Sequence, residues 1–211
     1  QTVGGFRQPL RLGGLWAGSI LPEQWGSPSR NADFFDIKGD LEALFAPRSL
    51  GFEKFAHPAL HPGRSARVML DGMEIGFIGE IHPQWVQKYD LGPAPVVFEV
   101  DLAALLATGM PSYREVSRFP AVTRDLALVV PKDQAVQPLL EGLWSAAASF
   151  VSDIALFDVY QGQGLPEGLK SLAFRVVMQD TQRTLADAEV EAAVAGLVGA
   201  VRQKFGGDLR G

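Results

Sequence analysis

The sequence has no cysteine, only three histidines among 211 residues, and no excess of positive charge. Each shortage removes a class of chemistry. Without thiols there are no disulfides and no thiolate metal sites, which suits a reducing compartment. A net charge of −5 gives no global electrostatic attraction to nucleic acid, so any such binding needs a local site. No apolar run approaches the ~20 residues that cross a bilayer, and the opening QTVGGFRQPL has neither the basic end nor the apolar core of a signal peptide. A soluble, cytoplasmic chain with no membrane partner is expected. The abrupt entry from Gln1 into a Gly-rich apolar segment predicts a piece cut from a longer polypeptide.

What is present is enough apolar residue, 47% of the chain, for one large core or two modest ones. The clearest break is Thr108 to Tyr113, TGMPSY, where Gly109 and Pro111 interrupt two periodic regions. It predicts domains at 1–112 and 113–211. Charge does not separate them: the first holds 9 Lys and Arg against 12 Asp and Glu, the second 10 against 12.

In the first half, LRLGGLWAGSI reads as a strand and NADFFDIKGDLEALF as a helix opened by Asn31 or Asp33. RSARVML and MEIGFIGEI flank Asp71-Gly72, the signature of a hairpin with a primed turn. HPQWVQKYDL follows as a short helix with Pro83 in its first turn, and VVFEV is a strand running into DLAALL. The pattern is α+β with an antiparallel sheet.

The second half predicts strands at Arg124–Val130, about 151–160 and 169–178, with GDLRG as a short last strand. Val136, Leu139, Leu140, Leu143, Trp144 and Ala147 mark one helix; Val190, Val194, Leu197, Val198 and Val201 mark another. Thr184 to Asp187 reads as a capping box that opens the second helix. The order βαββαβ is the ferredoxin-like arrangement, one four-stranded antiparallel sheet with both helices on one face.

The other face is then free, and strand alternation tells what it displays. Leu172, Phe174, Val176 and Met178 are the core set of the third strand, which places Ser171, Ala173, Arg175 and Val177 outside. In the second strand, Phe157 and Val159 are expected in the core and Asp158 and Tyr160 outside. That parity also turns Ile154 and Leu156 outward, which requires another segment to cover them. A ring, a carboxylate, a hydroxyl and a guanidinium on one exposed sheet suit an unstacked base, with Lys170 and Arg183 as candidates for phosphate. The same residues also fit an ordinary surface, since Tyr favours strands and Asp beside Arg is a common solvated pair.

Four segments in order, S-R-F-P-A-V-x-R-D-L-A-L-V-V, L-F-D-V-Y-Q-G, G-L-K-S-L-A-F-R and R-T-L-x-D-x-E-V, resemble the anticodon-binding domain that ends the beta subunit of bacterial phenylalanyl-tRNA synthetases. Upstream, FFDIKG, LHPGRSA and IGEIHP resemble the end of the same subunit's catalytic-like domain. The resemblance implies a noncatalytic class II synthetase-like domain followed by a ferredoxin-like domain. It implies contact of the anticodon loop of tRNA(Phe) with the latter, with Asp158, Tyr160 and Ser171 at the wobble guanine. It also implies a catalytic alpha subunit as partner in an alpha2beta2 heterotetramer, with ATP and magnesium serving the holoenzyme and no cofactor in this part. Arg124, at the mouth of the central strand, is open between a phosphate contact and an anchor for the linker; Arg118 is expected to anchor it. Pro120 biases Phe119 toward an extended entry into the strand.

The first half offers little catalysis. PVVFEVDLAALL lacks the glycine and arginine that a class II synthetase uses on ATP, and Glu99 and Asp101 would repel phosphate. His57 and His61 are separated by Pro58, against a helical metal pair. Gly76 and Gly79 lie within a strand and suggest close packing rather than a phosphate loop. Two other readings of the second half remain: a small-molecule sensing module or a purely structural assembly piece.

Overall fold

The computed structural model describes residues 2–3, 5–107, 109, 113 and 116–210, with Thr2, Val3, Phe6 and Arg7 described by backbone alone. Two units are present, residues 1–112 and 113–211. Of the break read at Thr108–Tyr113, only Gly109 and Tyr113 lie within the described residues.

The first unit runs β1 (Thr2–Val3), β2 (Phe6–Arg7), β3 (Arg11–Trp16), α1 (Phe34–Phe45), β4 (Gly51–Lys54), β5 (Leu60–Leu70), β6 (Met73–Ile81), α2 (Pro83–Tyr89), β7 (Val96–Asp101) and α3 (Leu102–Leu106). β3 to β7 form an antiparallel sheet in the order β3-β7-β6-β5-β4. β4, which the alternation did not disclose, completes one edge. Of the two candidate caps of α1, Asp33 is the one used: its carboxylate accepts from the Phe35 and Asp36 amides at 2.7 and 3.2 Å, and Asp36 returns a bond to the Asp33 amide at 2.8 Å. Arg30 grips Asp36 through two 2.7 Å bonds and, with that backbone bond, holds its carboxyl down to about 2. Ile37, Leu41 and Phe45, one turn apart, then press onto Val68, Ile78, Val96 and Val100. Asp71 and Gly72 take φ of 50° and 77°, the doubly positive turn that a right-twisted hairpin favours. At Gly76 a Cβ would come 2.0 Å from the Glu99 carbonyl oxygen, and at Gly79 it would come 2.9 Å from the Ser65 and Leu60 side chains. Both glycines permit close approach of neighbouring chain segments, as read.

The second unit runs β8 (Val122–Pro131), α4 (Val136–Ala146), β9 (Val151–Tyr160), β10 (Leu169–Met178), α5 (Asp187–Phe205) and β11 (Asp208–Leu209). Its sheet order, β11-β8-β10-β9, is fully antiparallel, and Leu139, Leu143, Val190, Leu197 and Val201 pack on Leu128, Leu172, Phe174 and Val176 beneath the helices. This is the expected ferredoxin-like unit. α5 begins later than the Thr184–Asp187 box would start it. Ala186 is the N-cap, and Glu189, not Asp187, accepts from the Ala186 amide at 3.0 Å. Leu185 is buried, and Ala186 after it is still extended, with φ of −82° and ψ of 148°.

The strand β8 is anchored at its entry by neighbours of Arg118. The Ser117 hydroxyl donates to the Asp180 carbonyl at 2.7 Å, and the Gln179 side-chain Nε2 donates to the Phe119 carbonyl at 2.6 Å. Arg118 itself is exposed and makes no hydrogen bond or ion pair among the described residues, so the anchoring assigned to it belongs to Ser117 and Phe119.

Candidate nucleic-acid interface

The face of the second sheet away from α4 and α5 is built from three rows of directly paired residues, since cross-strand partners share a face. One row is Tyr160, Ser171 and Val129; the next is Asp158, Ala173 and Ala127; the third is Ala155, Arg175 and Asp125. The alanines leave a low floor in the middle. Around it stand a ring, a carboxylate and an ion pair.

The parity conflict of β9 is resolved by a bulge. Asp158 pairs with Ala173 and Leu156 with Phe174, so Phe157 is the extra residue and the alternation changes phase across it. Ile154 and Leu156 therefore join the core, while Asp158 and Tyr160 face outward. The expectation that Phe157 and Val159 fill the core is wrong: they are 51% and 47% exposed. Phe157 lies instead under the Arg175 guanidinium, 4.9 Å from its ring centroid. Val159 pairs with Leu172 on the helix side, but at an edge strand that burial does not reach.

Ser171 has an unusual environment. It pairs with Tyr160, yet it is only 4% exposed and is the one buried polar residue among those described. No described residue hydrogen-bonds its hydroxyl. The exposed Asp158 carboxylate likewise has no hydrogen-bond or ion-pair partner among the described residues. Arg175 is committed, donating to both Asp125 oxygens at 2.9 Å and holding that carboxyl below its ordinary range. The Tyr160 hydroxyl donates to the Gln163 carbonyl at 2.8 Å, and the Arg210 guanidinium lies 4.9 Å over its ring.

The structure thus brings Asp158, Tyr160, Ser171 and Arg175 onto one face, and three other candidates elsewhere. Arg124 pairs with Val176, a core residue, and reaches Glu191 on α5 at 3.5 Å. Lys170 has the same parity as Leu172 and donates to the Gln134 carbonyl at 2.6 Å. Arg183 is clamped to Glu189 by two 2.6 Å bonds beyond the Met178 end of β10, about 23 Å of strand from Ser171 at ~3.3 Å per residue. None of the three flanks the floor. Sequence reasoning missed Asp125, Ala127 and Arg210. The first two were available from the alternation of RDLALVV; Arg210 is brought in because its amide bonds the Ala127 carbonyl at 2.8 Å as β11 joins the sheet edge.

Comparison with known proteins follows the same division. Residues 1–102 match the profile described as the phenylalanyl tRNA synthetase beta chain CLM domain, and residues 117–210 match the ferredoxin-fold anticodon binding domain. A phenylalanine–tRNA ligase beta subunit of Dechloromonas aromatica is 60% identical over 99% of this chain and 26% of its own length. Those of Aromatoleum aromaticum and Neisseria meningitidis serogroup B are 57% and 53% identical over 100% and 93% of the chain, and 27% and 25% of their own lengths. The chain belongs to the phenylalanine–tRNA ligase beta-subunit family. It spans about a quarter of the length of these beta subunits. Both profiles fall on a folded unit, so the outward face described above lies in the ferredoxin-fold part of a beta subunit.

In the first unit, β7 and α3 are the strand and helix that the resemblance to class II synthetases compares with their ATP-binding motif. Here Glu99 is 3.9 Å from Arg11, and the Asp101 carboxylate caps α3 by accepting from the Ala103 amide at 2.8 Å. Among the described residues no three metal-ligating groups converge. These residues do not fit ATP or its magnesium.

Proposed function

We propose that this chain is the part of a phenylalanine–tRNA ligase beta subunit that binds the anticodon loop of tRNA(Phe) on the open face of its second unit. The observation that carries this reading is the Ser171 hydroxyl, buried without a described partner beside the equally unpartnered Asp158 carboxylate. A buried hydroxyl left unsatisfied costs about 1–3 kcal/mol. A ligand that supplies its partner recovers that cost. An ionised carboxylate only accepts hydrogen bonds, so Asp158 selects a base edge rich in donors, as the N1–H and amino group of guanine are. Tyr160 supplies the stacking ring, and the alanine floor leaves space for a flat group.

Of the residues first considered for RNA contact, Asp158, Tyr160, Ser171 and Arg175 stay in this proposal. Lys170, Arg183 and Arg124 leave it. A sensing module for a small metabolite is not favoured, because residues 117–210 match an anticodon binding domain and nearly the whole chain aligns with phenylalanine–tRNA ligase beta subunits.

The first unit takes a structural role in the same reading. Its exposed Leu10, Leu15, Trp25 and Phe35 suit burial against the catalytic alpha subunit of an alpha2beta2 enzyme. ATP and magnesium act on that subunit, in the cytoplasm, and this chain supplies no step on them.

The test is binding of a labelled tRNA(Phe) anticodon stem-loop to the full-length protein, with the wobble guanine and with adenine in its place. Tyr160→Ala is expected to weaken binding of both, by about 1–3 kcal/mol for one lost stack. Asp158→Asn is expected to reduce the preference for guanine. Unchanged binding in both variants would overturn the reading.

A further inference from the structure

We propose that the turn Gln161–Gly164 is a brace that fixes the Tyr160 ring before RNA arrives, with Gly162 and the Gln163 carbonyl as its working parts. This rests on the anticodon reading above. A tyrosine at the end of an exposed edge strand ordinarily samples several staggered rotamers, and ordering it on binding costs affinity. Three contacts prevent that here.

The hydroxyl donates to the Gln163 carbonyl at 2.8 Å, which ties the far end of the ring to the backbone three residues on. Gly162 lies against the same end. A Cβ there would stand 3.0 Å from the Tyr160 hydroxyl oxygen and 3.2 Å from Cζ, tighter than nine in ten real Cβ contacts. A side chain at this position therefore requires the ring or the turn to give by a few tenths of an ångström. Arg210, from the opposite edge of the sheet, lays its guanidinium 4.9 Å over the ring centroid, and its terminal nitrogen comes 4.0 Å from where a Gly164 Cβ would be. Gly164 holds φ of 89°, a backbone state that side chains disfavour. Turn, ring and guanidinium form one contact set.

Two consequences distinguish a brace from incidental packing. The hydroxyl is engaged, so Tyr160 does not read the base edge, and discrimination stays with Asp158 and Ser171. One ring face is covered by the guanidinium, so a base stacks on the other. Gly162 and Gln163 act through Tyr160 and are positioning residues.

The experiment is a two-residue cycle in the full-length protein, read by affinity for the labelled tRNA(Phe) anticodon stem-loop with guanine or adenine at the wobble position. Tyr160→Phe removes one hydrogen bond and is expected to weaken binding about fivefold with the guanine preference unchanged. Gly162→Ala pushes the ring aside and is expected to weaken binding about tenfold. In the double variant the missing oxygen relieves the added Cβ, so it binds at least as well as Gly162→Ala alone rather than showing the product of the two losses. Native affinity in Gly162→Ala, a multiplicative double variant, or an altered base preference in Tyr160→Phe would each overturn the brace. If Gly162→Ala does not fold, Tyr160→Phe decides: native affinity rejects the brace, and a loss with unchanged preference supports it. Tyr160→Ala separates this idea from the one beneath it. Unchanged affinity in that variant refutes stacking on Tyr160 itself, whereas a loss there with a native Gly162→Ala refutes only the brace.

Discussion

Tyr160 and Ser171 face each other directly across β9 and β10, yet Tyr160 is 37% exposed and Ser171 only 4%. The pair therefore presents an aromatic surface beside a hydrogen-bonding group that water scarcely reaches. Such a group weakens the free protein and strengthens a complex that satisfies it.

Ser171→Ala turns that imbalance into a measurement. Removing the unpartnered hydroxyl is expected to leave stability unchanged or raise it by about 1 kcal/mol, while anticodon stem-loop affinity falls about tenfold. Urea unfolding and binding titration on the same preparation check both. A variant that loses stability and keeps affinity would show that the hydroxyl serves the fold.

The bulge at Phe157 sets which residues β9 shows to each side. Deleting Phe157 joins Leu156 to Asp158 in one regular alternation, which leaves Ile154 and Leu156 inward and Asp158 and Tyr160 outward. The deletion variant is therefore expected to keep its core and its stem-loop affinity, and to lose only the contact of the Phe157 ring with the Arg175 guanidinium, about 0.5–1 kcal/mol. Circular dichroism melts with stem-loop titration check both. A variant that melts early or loses RNA affinity would show that the bend of the bulge, and not the alternation alone, positions these side chains.

The fold was largely legible because its signals are local. The β9 and β10 boundaries, the Val136 helix and the Asp71-Gly72 turn follow from period, spacing and positive-φ chemistry within a few residues. What stayed hidden depends on partners distant in sequence. Parity alone placed Phe157 in the core, because a bulge is visible only against the register of β10. Arg124 and Lys170 were plausible phosphate ligands until Glu191 and the Gln134 carbonyl showed what they hold. The outward positions of Asp158, Tyr160 and Arg175 were read correctly, and so was the side of Ser171, but not its burial. β4 escaped because GFEK is short and only half apolar.

Gly76 gives the first unit its own test. The Cβ of an alanine would fall 2.0 Å from the Glu99 carbonyl oxygen and 2.7 Å from the Val100 Cα, both backbone atoms of the neighbouring strand. Neither can move without parting β6 from β7. Gly76→Ala is expected to destabilise the first unit by about 3 kcal/mol, whereas Gly26→Ala, which meets nothing within 4 Å, is expected to be silent. Urea unfolding followed by tryptophan fluorescence suits this comparison, since the four tryptophans include Trp16, Trp25 and Trp85 in that unit.

Acid should act on the second unit through Glu189. Hydrogen bonds from Arg183, then from the Ala186 amide, hold its carboxyl down to about 2, against an ordinary 4.5. A carboxylate whose folded pKa is depressed contributes stability that is fully present above the unfolded value and is lost as pH falls toward the folded one. The start of α5 should therefore loosen between about pH 4.5 and 2, and not at neutral pH. Glu189→Gln keeps an acceptor for the Ala186 amide but removes the charge that Arg183 meets. Its melting temperature is expected to lie below the native value at pH 7 and to converge with it near pH 2. Because both partners are open to water, 1 M salt should narrow the neutral-pH gap as well. A gap that stays constant from pH 7 to pH 2 would show that packing of the side chain, rather than its charge, holds the helix start.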